Sequence, residues 1–295
     1  MELRNLRAYA EVVRRGGFSA AAKTLYATQP TVSKAIKQLE DELGLPLLER
    51  SNQGVRMTQA GEVVYRRALT LLAERDSLLT ELDEMRGLRR GELRLGIPPL
   101  GNDTVFAPMF AAYRAKYPEI DIRLFEQGSQ NLEDSLMAGE IEIAGSLLPV
   151  SEAFEAQPVR REPLVVLLPL QHPAARLAKV KLEALKDTPF ILFDKGFALN
   201  RTIIDGCQRR GFTPTEVARS GQIDFIVALV AAGMGLAMLP QMMAQERPRQ
   251  DVATVLLDEP DMDWQMALIW RKGAFLSHAA QAWRQLASEM PHLKR

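Results

Sequence analysis

The chain has few of the residues from which metal sites and hydrolytic active sites are most often built. It contains one cysteine, Cys207, and three histidines that lie far apart, His172, His278 and His292. A single cysteine excludes an internal disulfide, and no Cys/His cluster has the spacing of a zinc site. Three scattered histidines also offer no catalytic triad. The sequence therefore predicts no metal, no cofactor and no catalytic residues.

Long apolar runs and a surplus of charge are missing too. The longest apolar run, 225–239, is shorter than the ~20 residues of a membrane helix and contains Gly233 and Gly235. The N-terminus carries no charged-then-apolar leader, and 37 basic residues balance 37 acidic ones. We therefore expect a soluble, cytoplasmic protein without a membrane partner. A length of 295 residues predicts two domains or slightly more.

Residues 18–40 carry the most informative pattern of the chain. Ser19 is a candidate N-cap for a short helix that ends near Leu25, because its hydroxyl can accept a hydrogen bond from a first-turn amide. A second helix is predicted to begin around Gln29, with Pro30 in its first turn, where the missing N–H would have no partner. The apolar stripe of this second helix follows helical spacing at Val32, Ile36, Leu39 and Leu43.

The other face of the second helix is polar and basic. It carries short hydrogen-bonding residues near the N-terminus and lysines behind them: Gln29, Thr31, Ser33, Lys34 and Lys37. A narrow helix of this kind fits the major groove of DNA. Two helices joined by a short turn are common in proteins of all kinds, so this pattern alone leaves DNA binding and a plain helical pair equally open.

The flanking segments favour DNA binding. A first helix is predicted from Leu3 to the Gly16-Gly17 pair, and residues 46–58 have the pattern of strand, turn and strand. This hairpin would form a wing, with Arg50 and Arg56 placed to reach phosphates. Up to Thr58 the chain carries nine basic and six acidic residues, a net charge of about +3, so one such domain should bind DNA weakly and need a second copy. We therefore predict a winged helix-turn-helix domain over 1–58.

Residues 59–89 are predicted to form a long linker helix that pairs two subunits. Between Thr58, a candidate N-cap, and Met85 there is no proline and only one glycine. Apolar residues recur at alternating spacings of four and three, interrupted by Arg75, and this seam consists of Val64, Ala68, Leu71, Leu78, Leu82 and Met85. The alternative is a helix that packs on the core of its own chain. The stretch 87–91, with a glycine at each end, would end the helix and act as a hinge.

After residue 91 the pattern changes to alternating strands and helices. Strands are predicted at 92–97, 120–125, 141–146, 164–168, 190–193, 216–218 and 236–239, and helices at 105–117, 132–138, 182–185, 200–211 and 223–232. Such alternation is typical of α/β domains with parallel sheets, whose ligands bind at the C-terminal ends of the strands beside helix N-termini.

On these motifs the chain resembles the LysR-type transcriptional regulators along its whole length. The segments that carry the resemblance are Phe18–Ala22, Thr28–Ser33, Ile36–Glu40, Leu43–Arg50 and Thr58–Gly61. The resemblance implies that a wing arginine grips the DNA backbone and that the groove-facing positions are Gln29, Pro30, Thr31, Ser33 and Lys34. Pattern and resemblance together predict the DNA-binding set Ser19, Thr28, Gln29, Pro30, Thr31, Ser33, Lys34, Lys37, Arg50 and Arg56.

Two positions depart from the family's pattern. Leu48 stands where many members have phenylalanine, and Lys34 stands where arginine is common. A lysine contacts DNA as a point charge rather than as a bidentate fork. Reading of a base at Lys34 is therefore weaker than the resemblance alone implies.

The resemblance further implies that residues 90–295 form an effector-binding domain of two α/β subdomains, like those of periplasmic binding proteins. The chain would cross between them near 161–163 and return near 263–266, with 264–270 as a strand back in the first subdomain. Subdomain I would then comprise 90–161 and 266–295, and subdomain II would comprise 162–265.

The cleft between these subdomains is the predicted effector site. Its candidate walls follow the ends of predicted strands and consist of Pro98, Leu100, Gly101, Asn102, Ser129, Gln130, Phe197, Asn200, Arg201 and Gln222. Helix N-termini near Asn102, Gln130 and Asn200 would present free amides to an anion, and Arg201 would pair with a carboxylate. The same residues are equally well explained as helix caps and turns.

One part of the predicted cleft departs from the family's pattern. Where many members carry a hydroxyl residue, this chain has Ile97, Pro98 and Pro99. Prolines make the mouth of the pocket stiffer and remove one side-chain donor, so the class of effector stays open.

The sequence thus predicts an α/β regulator with an N-terminal all-α winged helix-turn-helix, a long linker helix and a two-subdomain effector domain, and not an enzyme. The resemblance implies a homodimer or homotetramer on double-stranded promoter DNA, controlled by a small-molecule effector, and it allows a contact with RNA polymerase. Effector binding would change the angle between the subdomains and thereby the spacing of the paired DNA readers. Two alternatives stay open: a ligand-independent regulator that uses its C-terminal domain only for oligomerisation, and an enzyme tethered to a DNA reader.

Overall fold

The computed structural model describes residues 1–51, 54–85 and 91–290. The chain divides into two compact units, one made of residues 1–88 with 137–140 and the other of the remaining residues. Each unit has a hydrophobic core of its own. No helix among the described residues is long and apolar enough to cross a membrane.

The N-terminal unit consists of three short helices, a hairpin and a long helix. Its elements are α1 Leu3–Arg15, α2 Phe18–Thr24, α3 Gln29–Leu43, β1 Leu48–Ser51, β2 Gly54–Met57 and α4 Gln59–Met85. Helices α1 and α3 both end on a glycine in the left-handed region, Gly16 at φ 70° and Gly44 at φ 69°. The buried core joins the first three helices through Leu6 and Tyr9 of α1, Ala22 of α2, and Ile36 and Leu39 of α3. These elements confirm the predicted winged helix-turn-helix.

Helix α2 begins two residues earlier than predicted. Helix α2 starts at Phe18, its N-cap is Gly17 and no side chain caps it, so the prediction of Ser19 as the N-cap is wrong. The half-buried Phe18 packs against the core of this unit, which places it inside the helix. At α3 the capping residue is Thr28, whose side-chain oxygen accepts a hydrogen bond from the Thr31 N–H.

Helix α4 is the long helix that the sequence predicted. It has 27 residues and spans about 40 Å at ~1.5 Å per residue. The Thr58 hydroxyl oxygen accepts from the Gly61 N–H at 2.9 Å, as expected of an N-cap. Along the predicted seam Ala68 is buried, whereas Leu71, Leu78 and Leu82 stay between 42% and 55% exposed. The predicted hinge lies outside the described residues except for its last glycine, and pairing between subunits stays a prediction.

A five-stranded sheet organises the first lobe of the second unit. Its strands are β3 Glu92–Ile97, β4 Asp121–Glu126, β5 Ile143–Leu147, β6 Phe154–Glu162 and β13 Trp264–Arg271, in the order β4-β3-β5-β13-β6. Strand β3 runs parallel to β4 and β5, whereas β13 runs antiparallel to β5 and β6. Helices α5 Ala107–Lys116, α6 Ser129–Met137 and α10 His278–Glu289 belong to the same lobe.

The second lobe lies between β6 and β13 in the chain. Strands β7 Leu164–Pro169, β8 Lys179–Val180, β11 Ala237–Pro240 and β12 Val252–Leu257 form a sheet in the order β11-β7-β12-β8. Strand β9 Phe190–Phe193 pairs in parallel with β10 Glu216–Ser220. The helices of this lobe are α7 Ala198–Arg209, α8 Ile223–Ala231 and α9 Gln241–Gln245. One cluster of buried side chains runs through both lobes.

Three features of the second unit differ from the sequence prediction. Its two larger sheets are mixed rather than parallel, since β7 pairs antiparallel with both β11 and β12, and β13 runs antiparallel to β5 as the chain returns. The predicted helix 105–117 is α5 preceded by a π-helical turn, Asn102–Phe106. Strands β6 and β12 were not predicted.

Strand β6 escaped prediction because its sequence is polar and contains a proline. It is an edge strand in which only two residues are buried, and Pro158 lies opposite Ala267 at a shift in register. A proline is tolerated at such a position, since no ladder hydrogen bond from its nitrogen is needed. Strand β12 does have a signal in the sequence, the apolar run 255–257 at its C-terminal end.

Candidate nucleic-acid interface and ligand cleft

The N-terminal end of α3 is a fully solvent-exposed polar surface on a buried base. Residues 26–31 are all exposed, whereas Val32, Ile36 and Leu39 hold the opposite side of the helix in the core. The Thr28 and Thr31 hydroxyls lie 2.8 Å apart, which ties the cap to the first turn. Hydrogen-bonding side chains are thus presented from a rigid helix end, as a DNA-reading helix requires.

The basic residues of α3 follow directly behind this end. Lys34 and Lys37 are exposed, and Ser33 is half-buried between them and the core. The first turn of α3 contains no acidic residue. Within the described chain no carboxylate forms an ion pair with either lysine, so both ammonium groups are available to phosphates.

The wing is held in place by a residue that sequence reasoning missed. The Glu40 carboxylate of α3 accepts hydrogen bonds from the backbone N–H groups of Leu47, at 2.7 Å, and Leu48, at 3.2 Å. The hairpin register places the exposed Arg56 opposite Glu49, so a neighbouring carboxylate offsets part of its charge. The Arg50 side chain, predicted to grip phosphate, lies outside the described residues. Ser19 is exposed on α2.

The cleft between the lobes contains a small, mostly apolar cavity. Its volume is about 10 Å³, room for about one water molecule. Four of the predicted effector residues line it: Pro98, Leu100, Ser129 and Phe197. The rest of the wall is Pro99, Gly128, Leu147, Ala198, Leu199, Trp264 and Met266. The stretches 128–130 and 194–199 were also expected to line the cleft and include Gly128, Ala198 and Leu199, whereas the other four residues were missed. Trp264 and Met266 lie on the predicted return strand, so the position of that strand could have indicated that they line the cleft.

Trp264, one of the residues that line the cavity, carries a buried donor without a partner among the described residues. Its side chain is fully buried, and its indole N–H has no hydrogen-bond partner within the described residues. The ring lies so close to Gly101 that a β-carbon there would meet it at 3.0 Å. Buried polar groups nearly always have partners, so an orphan donor on a cavity wall needs an explanation.

Asn200 has a structural role that differs from the predicted one. It is buried, and its amide nitrogen donates to the Phe193 and Asp194 carbonyls at 2.9 and 3.0 Å. Its amide oxygen accepts from the Phe193 N–H at 3.0 Å. Both amide hydrogens are thus used to hold the loop between β9 and α7, and a contact between Asn200 and an effector stays a prediction.

Other predicted effector residues lie outside the cavity wall. The Asn102 side chain donates to Glu126 at 2.9 Å, and its amide oxygen accepts from the Asp103 N–H at 2.7 Å. The backbone N–H of Asp103, which was expected to be open to an anion, therefore already has a partner. Gln130 donates to Asp134 at 3.5 Å. Gln222 is exposed at the start of α8. Together with Gly101, which packs behind Trp264, these residues serve as caps, turns and packing positions.

Arg201 lies near the cleft in a polar cluster. Its guanidinium donates to the Pro149 carbonyl at 3.4 Å. Burial raises the pKa of the Glu133 carboxyl, although a hydrogen bond from Ser146 at 3.2 Å and the charge of Arg201 act in the opposite direction. Arg201 therefore already has a carbonyl and a nearby carboxyl group as neighbours, and it does not line the cavity.

A second polar cluster joins the two lobes at the opposite end of the cleft. Arg247, which follows α9, donates to Asp103 at 2.8 Å and to Asp224 at 3.2 Å. Burial raises the pKa of Asp103, but hydrogen bonds from Arg247 and Thr104 outweigh it, so the pKa lies below its usual value. Beside the cavity, a β-carbon on Gly128 would meet the Gly196 carbonyl oxygen at 2.8 Å. The lobes are therefore in close contact around the cavity.

The cysteine and histidine side chains of the second unit do not favour redox or metal chemistry. Burial raises the pKa of the Cys207 thiol to about 11, so at neutral pH almost no thiolate is present. Among the residues the structure describes, no group of three or more His, Cys, Asp or Glu side chains could hold a metal ion. His172 caps a short 3-10 turn through the Ala174 N–H and bonds Thr188.

The helix-turn-helix with its wing and the two-lobed second unit define a DNA-binding regulator with a ligand-binding domain. The model described as "Bacterial regulatory helix-turn-helix protein, lysR family" matches residues 3–62, and the "LysR substrate binding domain" matches residues 86–291. The chain belongs to the LysR family of transcriptional regulators. This confirms the resemblance and the predicted fold class. Because the family and its relatives are regulators, it also confirms that the chain is not an enzyme.

Individual relatives cover nearly the whole chain. The HTH-type transcriptional regulator YwbI of Bacillus subtilis is 34% identical over 287 residues, which cover 96% of this chain and 94% of the relative. A cysteine variant of full-length OxyR from Pseudomonas aeruginosa shares the fold, with a TM-score of 0.72 at 24% identity over 100% of this chain and 97% of that one. A cysteine variant of OxyR from Corynebacterium glutamicum, bound to hydrogen peroxide, has a TM-score of 0.60 at 27% identity over 97% and 93% of the two chains.

Proposed function

We propose that this LysR-family regulator binds promoter DNA as a homodimer or homotetramer and that a small carboxylate in the cleft controls it. The DNA-binding part rests on one observation above all. The exposed end of α3 presents Gln29, Thr31 and Lys34 from a helix whose other side is buried. Pairing through the exposed leucines of α4 supplies the second DNA reader that a module of low charge needs.

The DNA-binding proposal is tested with Ser33→Ala and Lys34→Ala. Each variant should bind a promoter duplex more weakly, and Lys34→Ala should lower the dependence of log K on log salt by about one per bound copy. Both residues lie on α3 and not on the helix proposed to pair the subunits, so sedimentation should show an unchanged assembly state. Loss of assembly in either variant, or unchanged affinity in both, would contradict the roles proposed for these two side chains.

The orphan indole N–H of Trp264 supports an effector with a hydrogen-bond acceptor. A carboxylate or carbonyl oxygen would satisfy this donor in a wall that is otherwise apolar apart from Ser129. A cavity of about 10 Å³ holds no organic acid. Binding therefore requires the lobes to separate, and the effector acts by its higher affinity for the more open arrangement.

A thermal-shift panel tests the effector proposal. The full chain is heated with small aliphatic, keto and aromatic acids, and a bound acid at 100 times its Kd should stabilise the native state by about 2.7 kcal/mol. Trp264→Phe keeps the ring in the core but removes the donor, so the shift should largely vanish in that variant. If no acid raises the melting temperature, the effector proposal fails while the DNA-binding proposal stands.

A second candidate function is a regulator that needs no ligand. The small size of the cavity favours it, because the lobes already fill the space between them. In that case the second unit serves assembly alone, no compound shifts the melting temperature, and DNA affinity does not respond to any of them.

Sensing of peroxide is not the function that these residues favour. A peroxide sensor needs a reactive thiolate that its oxidant can reach. Cys207 is the only cysteine of the chain and is fully buried in α7, with its thiol pKa raised to about 11. Incubation with peroxide should therefore leave DNA binding unchanged.

A further inference from the structure

The turn between α2 and α3 places a tyrosine where a helix end normally has glycine. The Ala27 N–H donates to the Ala22 carbonyl at 3.0 Å, and the Tyr26 N–H donates to the Lys23 carbonyl at 3.3 Å. These two bonds are the pattern of a Schellman motif, in which the residue after the helix adopts positive φ. Tyr26 has φ 51°. Helices α1 and α3 meet the same requirement with Gly16 and Gly44.

A left-handed backbone is unfavourable for tyrosine. Its β-carbon crowds the following carbonyl, whereas glycine avoids this contact and asparagine and aspartate tolerate it. Among the described residues only Tyr26 and Asp261 adopt positive φ without being glycine. Tyr26 is therefore the one residue with a bulky side chain in this conformation in the described part of the chain.

The side chain of Tyr26 gains no contact with the folded chain in return. It is 99% exposed. No ring contact or side-chain hydrogen bond of Tyr26 exists among the described residues, although Tyr9, Tyr65, Tyr113 and Tyr117 all take part in ring pairs. Strain without compensating packing is typical of positions that serve a binding partner.

The position of Tyr26 indicates which partner. It precedes Gln29, the first residue of α3, by three residues, so their backbones lie at most about 11 Å apart. Every residue from Tyr26 to Thr31 is exposed. The Thr28 hydroxyl accepts the capping hydrogen bond and shares a second one with the Thr31 hydroxyl, so both are held at the start of α3. The Tyr26 phenol, by contrast, has no hydrogen-bond partner among the described residues and lies at the entrance to α3.

We infer that Tyr26 is a DNA contact outside the recognition helix: its phenol O–H donates to a phosphate oxygen beside the major groove that α3 enters. The inference rests on the proposed DNA-binding function. A hydroxyl that bonds phosphate positions the protein on the duplex without reading sequence. The contact fixes the approach of α3 from the turn side, while the lysines of α3 contact phosphate from behind.

The test uses a duplex selected from a random pool by the wild-type full chain. Tyr26→Asn keeps the left-handed turn and relieves its strain, so its melting temperature should equal or exceed that of the wild type. Its affinity for the selected duplex should nevertheless fall by about tenfold, the loss of one hydrogen bond to a charged group. Tyr26→Phe should keep the wild-type stability and lose a similar share of affinity.

The dependence on salt separates this contact from a charged one. A phenol releases no counterion, so the slope of log K against log salt should be the same in Tyr26→Phe as in the wild type. The matched variant Lys34→Ala should lower that slope by about one per bound copy. A comparable fall in slope for Tyr26→Phe would overturn the assignment of a neutral phosphate contact.

Other outcomes overturn the inference in distinct ways. Affinities within twofold of the wild type for both Tyr26 variants would mean that no contact exists. If Tyr26→Phe binds with wild-type affinity while Tyr26→Asn binds more weakly, the phenol O–H does not donate a hydrogen bond to phosphate. A clear loss of stability in Tyr26→Asn would mean that the side chain serves the fold. If the wild type selects no duplex at low salt, the DNA-binding proposal itself fails.

Discussion

Asn200 joins the end of β9 to the start of α7 with three hydrogen bonds to two backbone residues. An asparagine amide suits this position because it donates twice and accepts at the same time. The loop it holds leads to Phe197, Ala198 and Leu199, which form one wall of the cavity. Asn200 thus helps to position part of the cavity wall.

Replacing Asn200 should lower stability with little effect on the surface of the protein. Asn200→Ala leaves the buried Phe193 N–H without a partner, which costs about 1–3 kcal/mol. We expect a melting temperature lower by about 2–12 °C, since 1 kcal/mol corresponds to about 2–4 °C in a domain of this size. Thermal unfolding followed by circular dichroism measures it.

Gln222→Ala is the control for Asn200→Ala, because Gln222 is exposed and its side chain does not cap α8. Its change should stay within about 0.5 kcal/mol. Equal melting temperatures for the wild type and Asn200→Ala would show that the three hydrogen bonds are not needed to hold the loop.

Helix α4 carries more apolar surface than one copy of the chain covers. Leu71, Leu78 and Leu82 follow the spacing of a paired-helix seam and remain at least 42% exposed. Exposed leucines repeating at this spacing favour burial against a second helix. Arg75 interrupts the seam and bonds its neighbour Asp76 at 2.6 Å, so its charge is partly offset.

If α4 pairs two subunits, Leu78→Glu should separate them. Two buried leucines are lost per pair, worth about 3 kcal/mol or more, which is a rise of at least ~100-fold in the dissociation constant of the assembly. Analytical ultracentrifugation over a range of concentrations measures this constant. DNA binding should weaken in parallel, because one module contacts few phosphates.

The matched control for the seam is Leu79→Glu. Leu79 is 44% exposed, close to the 55% of Leu78, but it lies off the seam. It should assemble like the wild type. If Leu78→Glu also assembles normally, α4 is not the pairing helix, and the alternative that it packs on its own chain gains support.

At the scale of the whole effector domain, the cleft between the lobes is closed, so a ligand can enter only when the lobes separate. The lobes meet through Gly128 and Gly196 beside the cavity and through Asp103 and Arg247 at the other end. An effector can enter only by shifting the balance between closed and open arrangements. The free energy it supplies is its difference in affinity between the two.

The ion pair between Asp103 and Arg247 should make stability depend on pH. Because the pKa of Asp103 is lower in the folded chain than its ordinary value of 3.8, the stabilisation is present above that ordinary value and is lost as the pH falls through the folded one. Asp103→Asn keeps an oxygen for the Thr104 N–H but removes the charge. It should be less stable than the wild type at neutral pH, and the two should converge as the Asp103 carboxyl becomes protonated.

Urea unfolding of Asp103→Asn and the wild type at several pH values tests this. A stability difference that stays constant from neutral pH into the acid range would mean that the charge of Asp103 contributes nothing. The pair is partly exposed, so raised salt should also reduce the difference between the two proteins.

Much of the architecture followed from local pattern. Gly16 and Gly44 end helices where the apolar stripes stop, Thr58 caps α4, and Trp264 begins the predicted return strand. These features depend on interactions within a few residues, which a sequence displays directly. Strand β6 could not be predicted in this way. It is an edge strand that contains Pro158, and it is stabilised by pairing with β13 rather than by a pattern in its own sequence.

Local pattern was enough to identify most helices and strands, the polar end of α3 and the membership of the LysR family. The three-dimensional packing was needed to show that Asn200 is internal, that the indole N–H of Trp264 has no partner among the described residues and that the cavity is nearly closed. Those facts arise from contacts between residues more than a hundred positions apart, such as Gly101 with Trp264 and Asp103 with Arg247, or from burial that no local spacing reveals. Local spacing sets helices and strands, whereas long-range packing sets which polar atoms keep a partner.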